Sequence, residues 1–105
     1  MKIEQLGDTL NVSELPELGA ANSSLFREQL RAAMPEGLKT IEIDLSKTRF
    51  VESCGLGALI ALHKTASSRN GPVRVRLLNP TPPVQQIFEL TRMHRLFEIV
   101  KPAQA

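Results

Sequence analysis

Two short segments of this chain alternate so strictly that they fix the kind of sheet it can build. Ile41-Glu42-Ile43-Asp44-Leu45 and Val73-Arg74-Val75-Arg76-Leu77 place an apolar side chain and a charge at successive positions. Side chains along a strand point alternately to opposite faces, so each segment has one apolar and one charged face. Parallel strands at the centre of a three-layer domain are covered on both faces and read as continuous apolar runs. These segments do not. One face of the sheet must therefore stay in water, with every helix packed on the other. Between the two strands, Gly55 to Ser68 has helical periodicity, with Leu56, Leu59, Ile60 and His63 along one side. Strand, helix and strand in that order predict a βαβ unit with parallel strands and a right-handed crossover. Glu42 and Asp44 on one strand and Arg74 and Arg76 on the other are expected to pair across the open face. Each pair is worth roughly 0.2–1 kcal/mol.

The remaining segments complete a two-layer α/β domain. Lys2 to Leu6 and Thr9 to Val12 read as extended, with Gly7-Asp8 as a hairpin turn between them. That antiparallel pair beside the parallel unit makes the β-sheet mixed, with helices packed on one face. A turn-rich loop from Ser13 to Ala20 contains Pro16 and Gly19. The helix after it runs from Ser23 to Met34, with Phe26, Leu30, Ala33 and Met34 inward. Asn22 or Ser23 is its candidate cap, and Pro35-Glu36-Gly37 ends it. Asn70-Gly71-Pro72 breaks the chain before the second alternating strand. Thr81 is the expected cap of a third helix whose first turn holds Pro82 and Pro83, where a missing N–H costs little. Its inner face is Val84, Ile87, Phe88 and Thr91, and Leu96 to Val100 gives a last short strand.

At 105 residues there is room for a single domain, residues 1–105, with one core. A net charge of +2, no basic stripe, and no Trp or Tyr argue against nucleic acid as a partner. The start, Met1-Lys2-Ile3-Glu4-Gln5, has no apolar leader, and no apolar run approaches membrane-spanning length. One cysteine makes neither an internal disulfide nor a metal cage. These features predict a cytoplasmic protein with no membrane insertion, no metal and no cofactor. Oligomeric state is not legible.

The stretch that carries chemistry is Phe50-Val51-Glu52-Ser53-Cys54-Gly55-Leu56-Gly57-Ala58-Leu59. A strand ends, a tight loop presents an acid and a serine, and two glycines lead into a helix. Helix N-termini hold unpaired backbone N–H groups and suit anions, while Gly55 and Gly57 let another surface come close. A phosphate on Ser53 would add about −1.5 to −2 charges, at a helix start that tolerates it and beside Glu52, which does not. On local physics alone, the commoner role for such a serine is simply to cap the helix.

The wider pattern resembles the signature of the STAS family, in its bacterial anti-sigma-factor-antagonist branch. There an apolar pair is typically followed by Asp-Ser-Ser-Gly-Leu-Gly. The later run Leu77-Leu78-Asn79-Pro80, with Val84, Phe88-Glu89-Leu90-Thr91 and Leu96-Phe97, resembles that branch's closing segment. The resemblance spans about residues 38 to 100 and implies a STAS-like fold. It also implies a partner switch. The serine matching Ser53 is phosphorylated by a partner kinase that doubles as an anti-sigma factor, and a phosphatase resets it. Glu52, Ser53, Cys54, Gly55, Leu56 and Gly57 would form the partner-binding surface. ATP and catalysis would belong to the kinase, so the chain itself is expected not to be an enzyme. Three departures stand out: Glu52 for the usual aspartate, Cys54 for a small hydroxyl residue, and Ser13-Glu14-Leu15-Pro16 where Gly-x-Leu-Asp is common. They leave room for an alternative known for single STAS domains, an accessory subunit bracing the ATPase of a bacterial lipid-transport ABC complex.

Other residues carry less. Cys54 at a helix start could sense redox state, although a lone cysteine is more often a small buried filler. His63 and His94 have no companion ligands at metal spacing. Arg69, Arg74, Arg76, Arg92 and Arg95 read as scattered solvated charge, and no nucleophile–histidine–acid set or phosphate-binding loop is present.

Overall fold

The computed structural model describes residues 1–68 and 71–101. Its elements are strands β1 (Lys2–Leu6), β2 (Thr9–Ser13), β3 (Thr40–Asp44), β4 (Arg74–Leu78) and β5 (Glu98–Val100), and helices α1 (Ser23–Ala33), α2 (Ser53–Ser67) and α3 (Pro82–Leu90). A short 3₁₀ turn, Met93–Arg95, precedes β5. The five strands form one sheet in sequence order. β1 and β2 pair antiparallel through a two-residue turn, and β2, β3, β4 and β5 are mutually parallel. Gly7 takes φ 63° at the first turn position, a conformation that glycine adopts without steric cost. Asn70, placed by the sequence in the break before β4, lies outside the described residues, as does Arg69.

Burial follows the alternation. Leu10, Val12, Ile41, Ile43, Val75 and Leu77 are buried and join Phe26, Leu30, Leu59, Val84 and Phe88 in one core. Asn11, Glu42, Asp44, Arg74 and Arg76 occupy the other sheet face, exposed or half-buried. The architecture is the two-layer α/β sheet with helices on one face that the pattern implies.

The charges on the open face pair as their register requires. Glu42 lies opposite Arg76, and Arg76 lies opposite Glu98. The Arg76 guanidinium bonds the Glu42 carboxylate through Nη1 and Glu98 Oε2 through Nε at 3.1 Å, while Arg74 also reaches Glu98. Asp44 takes no part in this ladder. It accepts from the Ser46 N–H at 3.0 Å and closes the turn after β3 instead.

Several local details depart from the sequence reading. α2 begins at Ser53, two residues earlier than expected, and its buried positions are Gly55, Ala58, Leu59, Leu62 and Ala66. Leu56, Ile60 and His63 are only half-buried. Leu59 is buried as expected, and Leu56 and Ile60 pack against the core from its margin. Apolar residues run far around this helix, and the buried side is rotated toward Gly55, Ala58, Leu62 and Ala66. His63 rests edge-on against Phe97, ring centroids 5.4 Å apart. Thr91 is exposed and not inward; its hydroxyl donates to the Ile87 carbonyl at 2.7 Å. Asn22 and Thr81 hold the cap positions of α1 and α3, but neither side chain caps. Asn22 instead accepts from the Gly19 N–H, and Thr81 donates to the Thr48 carbonyl at 2.8 Å.

Two outcomes test the ladder. Glu42→Gln removes a carboxylate that is only 22% exposed, and should cost roughly 0.5–1 kcal/mol in urea unfolding, with a smaller deficit at high salt. The Arg74 hydrogen bond holds the Glu98 carboxyl below its usual range. The folded chain therefore binds that proton less tightly than the unfolded chain. The stabilisation is complete above the ordinary glutamate range and is lost as pH falls through the lowered folded value. Glu98→Gln should accordingly flatten the acid limb of stability against pH and leave its neutral-to-basic part parallel to wild type.

Candidate functional site

Two connections at the carboxyl end of the parallel strands are zipped together. After β2, Leu15 and Leu18 are buried, and after β3, Leu45 and Val51 are buried beside them. The buried Thr48 hydroxyl donates to the Leu15 carbonyl at 2.5 Å. The Arg49 N–H then bonds the Pro16 carbonyl (2.8 Å), Leu18 N–H the Phe50 carbonyl (3.2 Å) and Glu52 N–H the Leu18 carbonyl (2.9 Å). Leu18 and Val51 form an isolated parallel bridge. The sequence reading left these segments as separate loops. Their pairing was hidden because it uses main-chain groups, with Thr48 as the one polar side chain buried for the purpose.

This zipper sets the start of α2. Gly55 is buried against Leu18, and a Cβ there would sit 2.1 Å from the Leu18 carbonyl oxygen. Only a residue without Cβ fits. Gly57 is the opposite case: it is exposed, and a Cβ there would meet nothing within 4 Å. Glycine at 55 is thus structural, while at 57 it leaves a flat, open surface.

Glu52 occupies the cap position of α2 in extended conformation, φ −96° and ψ 174°, without a side-chain cap bond. Its carboxylate turns aside to accept the Ala20 N–H at 3.2 Å, across the entry to α1. Gly19 makes this possible, because a Cβ there would lie 2.2 Å from Glu52 Oε2. The extra methylene relative to aspartate is what carries the carboxylate onto the Gly19–Ala20 backbone.

Ser53 is the first residue of α2 and exposed, one position past the cap. The capping role expected from local physics is therefore not the one it plays. The first intrahelical bond runs from Leu56 N–H to the Glu52 carbonyl at 3.0 Å, leaving the Ser53, Cys54 and Gly55 N–H groups without intrahelical acceptors. Cys54 is exposed and not a buried filler. Of the six expected surface residues, Glu52, Ser53, Cys54 and Gly57 are exposed, Leu56 is half-buried, and Gly55 is buried beneath them. His94 is exposed in the 3₁₀ turn, away from this motif in sequence. Among the described residues, no group of three or more His, Cys, Asp or Glu could hold a metal, and no helix is long and apolar enough to cross a membrane.

The model of one protein family, the Mlab STAS domain, matches residues 3–101. The chain belongs to the STAS family. Among solved structures it is similar to TM1081 of Thermotoga maritima, a proposed anti-sigma-factor antagonist. The two share 22% identity over 96% of this chain and 86% of that one, with a TM-score of 0.86. It is also similar to SpoIIAA, an anti-sigma-factor antagonist in its unphosphorylated form, with 20% identity over 95% and 87% of the chains and a TM-score of 0.78. The murine anion transporter Slc26a9 matches at 21% identity and a TM-score of 0.72. There the similarity covers 95% of this chain but 17% of the transporter. At these identities the likeness establishes the STAS fold.

The two motif glycines make a paired test. Gly55→Ala should destabilise the domain by about 1–3 kcal/mol, since backbone stands in the way of the new methyl. Gly57→Ala should stabilise it by roughly 0.5–1 kcal/mol through helix propensity. Chemical denaturation of both variants measures the contrast.

Proposed function

We propose that this STAS domain is an anti-sigma-factor-antagonist-type regulator that binds a partner serine kinase and is switched by phosphorylation at Ser53. The observation that carries the reading is the state of Ser53: its hydroxyl is exposed at the head of α2 and is not used as the cap. Modification there requires no unfolding. Unpaired N–H groups at the helix start favour the added negative charge, while the neighbouring Glu52 changes the local field in the opposite sense. The partner-facing surface comprises Glu52, Ser53, Cys54, Leu56 and Gly57, supported by Gly55 from below. The kinase, doubling as an anti-sigma factor, supplies ATP and catalysis, and a phosphatase resets the serine. The chain acts in the cytoplasm as substrate and ligand and not as an enzyme. The fold-level likeness to anti-sigma-factor antagonists supports this assignment by analogy.

A second reading draws on the family model, whose description names Mlab and not an anti-sigma-factor antagonist. In it, the domain is an accessory subunit that braces the ATPase of a bacterial lipid-transport ABC complex, and the charge at position 53 is immaterial.

Affinity capture from the native cell separates the two, using wild type, Ser53→Ala and Ser53→Asp with mass spectrometry of partners and of Ser53. The switch requires a serine kinase held by Ser53→Ala and lost by Ser53→Asp, with phosphate on wild-type Ser53. Equal capture of an ATPase and a permease by all three would establish the transport role and remove the switch.

A further inference from the structure

α1 and α2 lie side by side on the sheet and leave a groove between them. Phe26 and Leu30 of α1 and Ala58 and Leu62 of α2 are buried and close its floor, Met34 and Ala61 are half-buried at its surface, and Arg27 and Arg31 stand on the α1 side. The two arginines are one turn apart, so they project from the same side of the helix. Both are exposed, and among the described residues neither guanidinium has an ion-pair partner. The arginines on the sheet face differ in this respect, since Arg74 and Arg76 are both neutralised by carboxylates.

The groove lies further along α2 from the motif. Ser53, Gly57 and Ala61 follow one another at four-residue spacing, so they share one side of α2, and Ala61 lines the groove. Gly57, between them, raises no side chain to interrupt the path. At 1.5 Å per residue, Ser53 stands roughly 6 Å along the axis from Gly57 and roughly 12 Å from Ala61. The first distance lies within the screening length at physiological ionic strength, about 8 Å, and the second beyond it.

From these observations we infer that the α1–α2 groove is a docking site for an acidic, apolar segment of the protein partner. Its apolar side chains rest on the half-buried Met34 and Ala61, over a floor that the core already closes, and its carboxylates meet Arg27 and Arg31. The inference rests on the proposed switch at Ser53 in one respect only, the way the segment is released. A phosphate on Ser53 carries the same sign as the segment and stands about two turns along α2 from Ala61, so it opposes the part of the segment nearest the motif. Phosphorylation therefore weakens binding by repulsion along the groove, without any change of fold.

The test uses an amphipathic helical peptide of Leu, Ala and Glu, fluorescein-labelled, and a matched peptide with Lys in place of Glu. The expected result is binding of the Glu peptide alone, with amide shift changes in the full chain at Arg27, Arg31 and Ala61. Arg27→Glu with Arg31→Glu should weaken it roughly tenfold or more, at unchanged thermal stability because both positions are exposed. Ser53→Asp should weaken it severalfold, with the difference shrinking as salt rises. Binding that responds to the arginines but not to Ser53→Asp keeps the groove and removes the switch. Equal binding of both peptides, or indifference to the arginine reversals, overturns the groove. Concentration-dependent self-association lost on arginine reversal would assign the groove to a second copy of this chain. Binding of the double-arginine surface to phosphatidylglycerol vesicles but not to the peptide would assign it to a membrane. Either outcome overturns the proposed occupant.

Discussion

Covering the sheet on one face only is the constraint from which the rest follows. β2, β3, β4 and β5 run parallel in sequence order, so each connection must return along the same side to start the next strand. With one covered side, α1 and α2 are forced to be neighbours, pointing the same way. Their N-termini then meet at the carboxyl end of the strands, where the Leu15–Leu18 and Thr48–Glu52 segments pair through their backbones. Ser53 is presented there, where loops and helix starts converge and the Thr81 hydroxyl at the head of α3 also bonds the Thr48 carbonyl. The site is a consequence of the topology with three local devices, Thr48, Gly55 and Gly19. Thr48 saturates a buried carbonyl that would otherwise cost about 1–3 kcal/mol if left unpaired. Gly55 removes a Cβ that would meet the Leu18 backbone, and Gly19 one that would meet the Glu52 carboxylate.

How much of this could be read from sequence depends on the kind of information each feature uses. The one-faced sheet was legible in full, because alternation between Ile41 and Leu45 and between Val73 and Leu77 is a side-chain signal with the period of the strand itself. The pairing of Glu42 with Arg76 followed from it once the register placed them opposite each other. The inward side of α2 was legible in part. Leu59 is fully buried, and Leu56 and Ile60 pack against the core from the margin, but the centre of the buried side lies nearer Gly55, Ala58 and Leu62, and the fit of Gly55 against Leu18 depends on where the loop sits. Asn22 and Thr81 hold the cap positions their residue types suggest, but their side chains bond elsewhere, and Ser53 sits one position past the cap with its side chain in solvent. Capping propensity describes an isolated helix end, whereas here every helix start is also part of a junction between loops. Glu52 illustrates the same limit. Its identity as a departure from the family pattern was visible, but its grip on the Ala20 N–H depends on a glycine thirty-three positions earlier in the chain, at Gly19.

The two faces of the molecule also dispose of charge differently, and that difference indicates which one is available to a partner. On the open sheet face, Glu42, Arg76, Glu98 and Arg74 satisfy one another. A partner binding there would have to replace those pairs, and exposed pairs offer little net energy in exchange. The helix face has the opposite character. Among the described residues Arg27 and Arg31 have no ion-pair partner, and Met34 and Ala61 are half-buried beside them, while Ser53, Cys54 and Gly57 are exposed nearer the head of α2. A partner can gain ion pairs there without breaking any. The sheet face therefore serves stability, and in the proposed reading recognition falls to the outer side of the helices. On that reading a negative charge added at Ser53 acts on the second face alone, so the modification changes binding while the fold beneath it stays as it was.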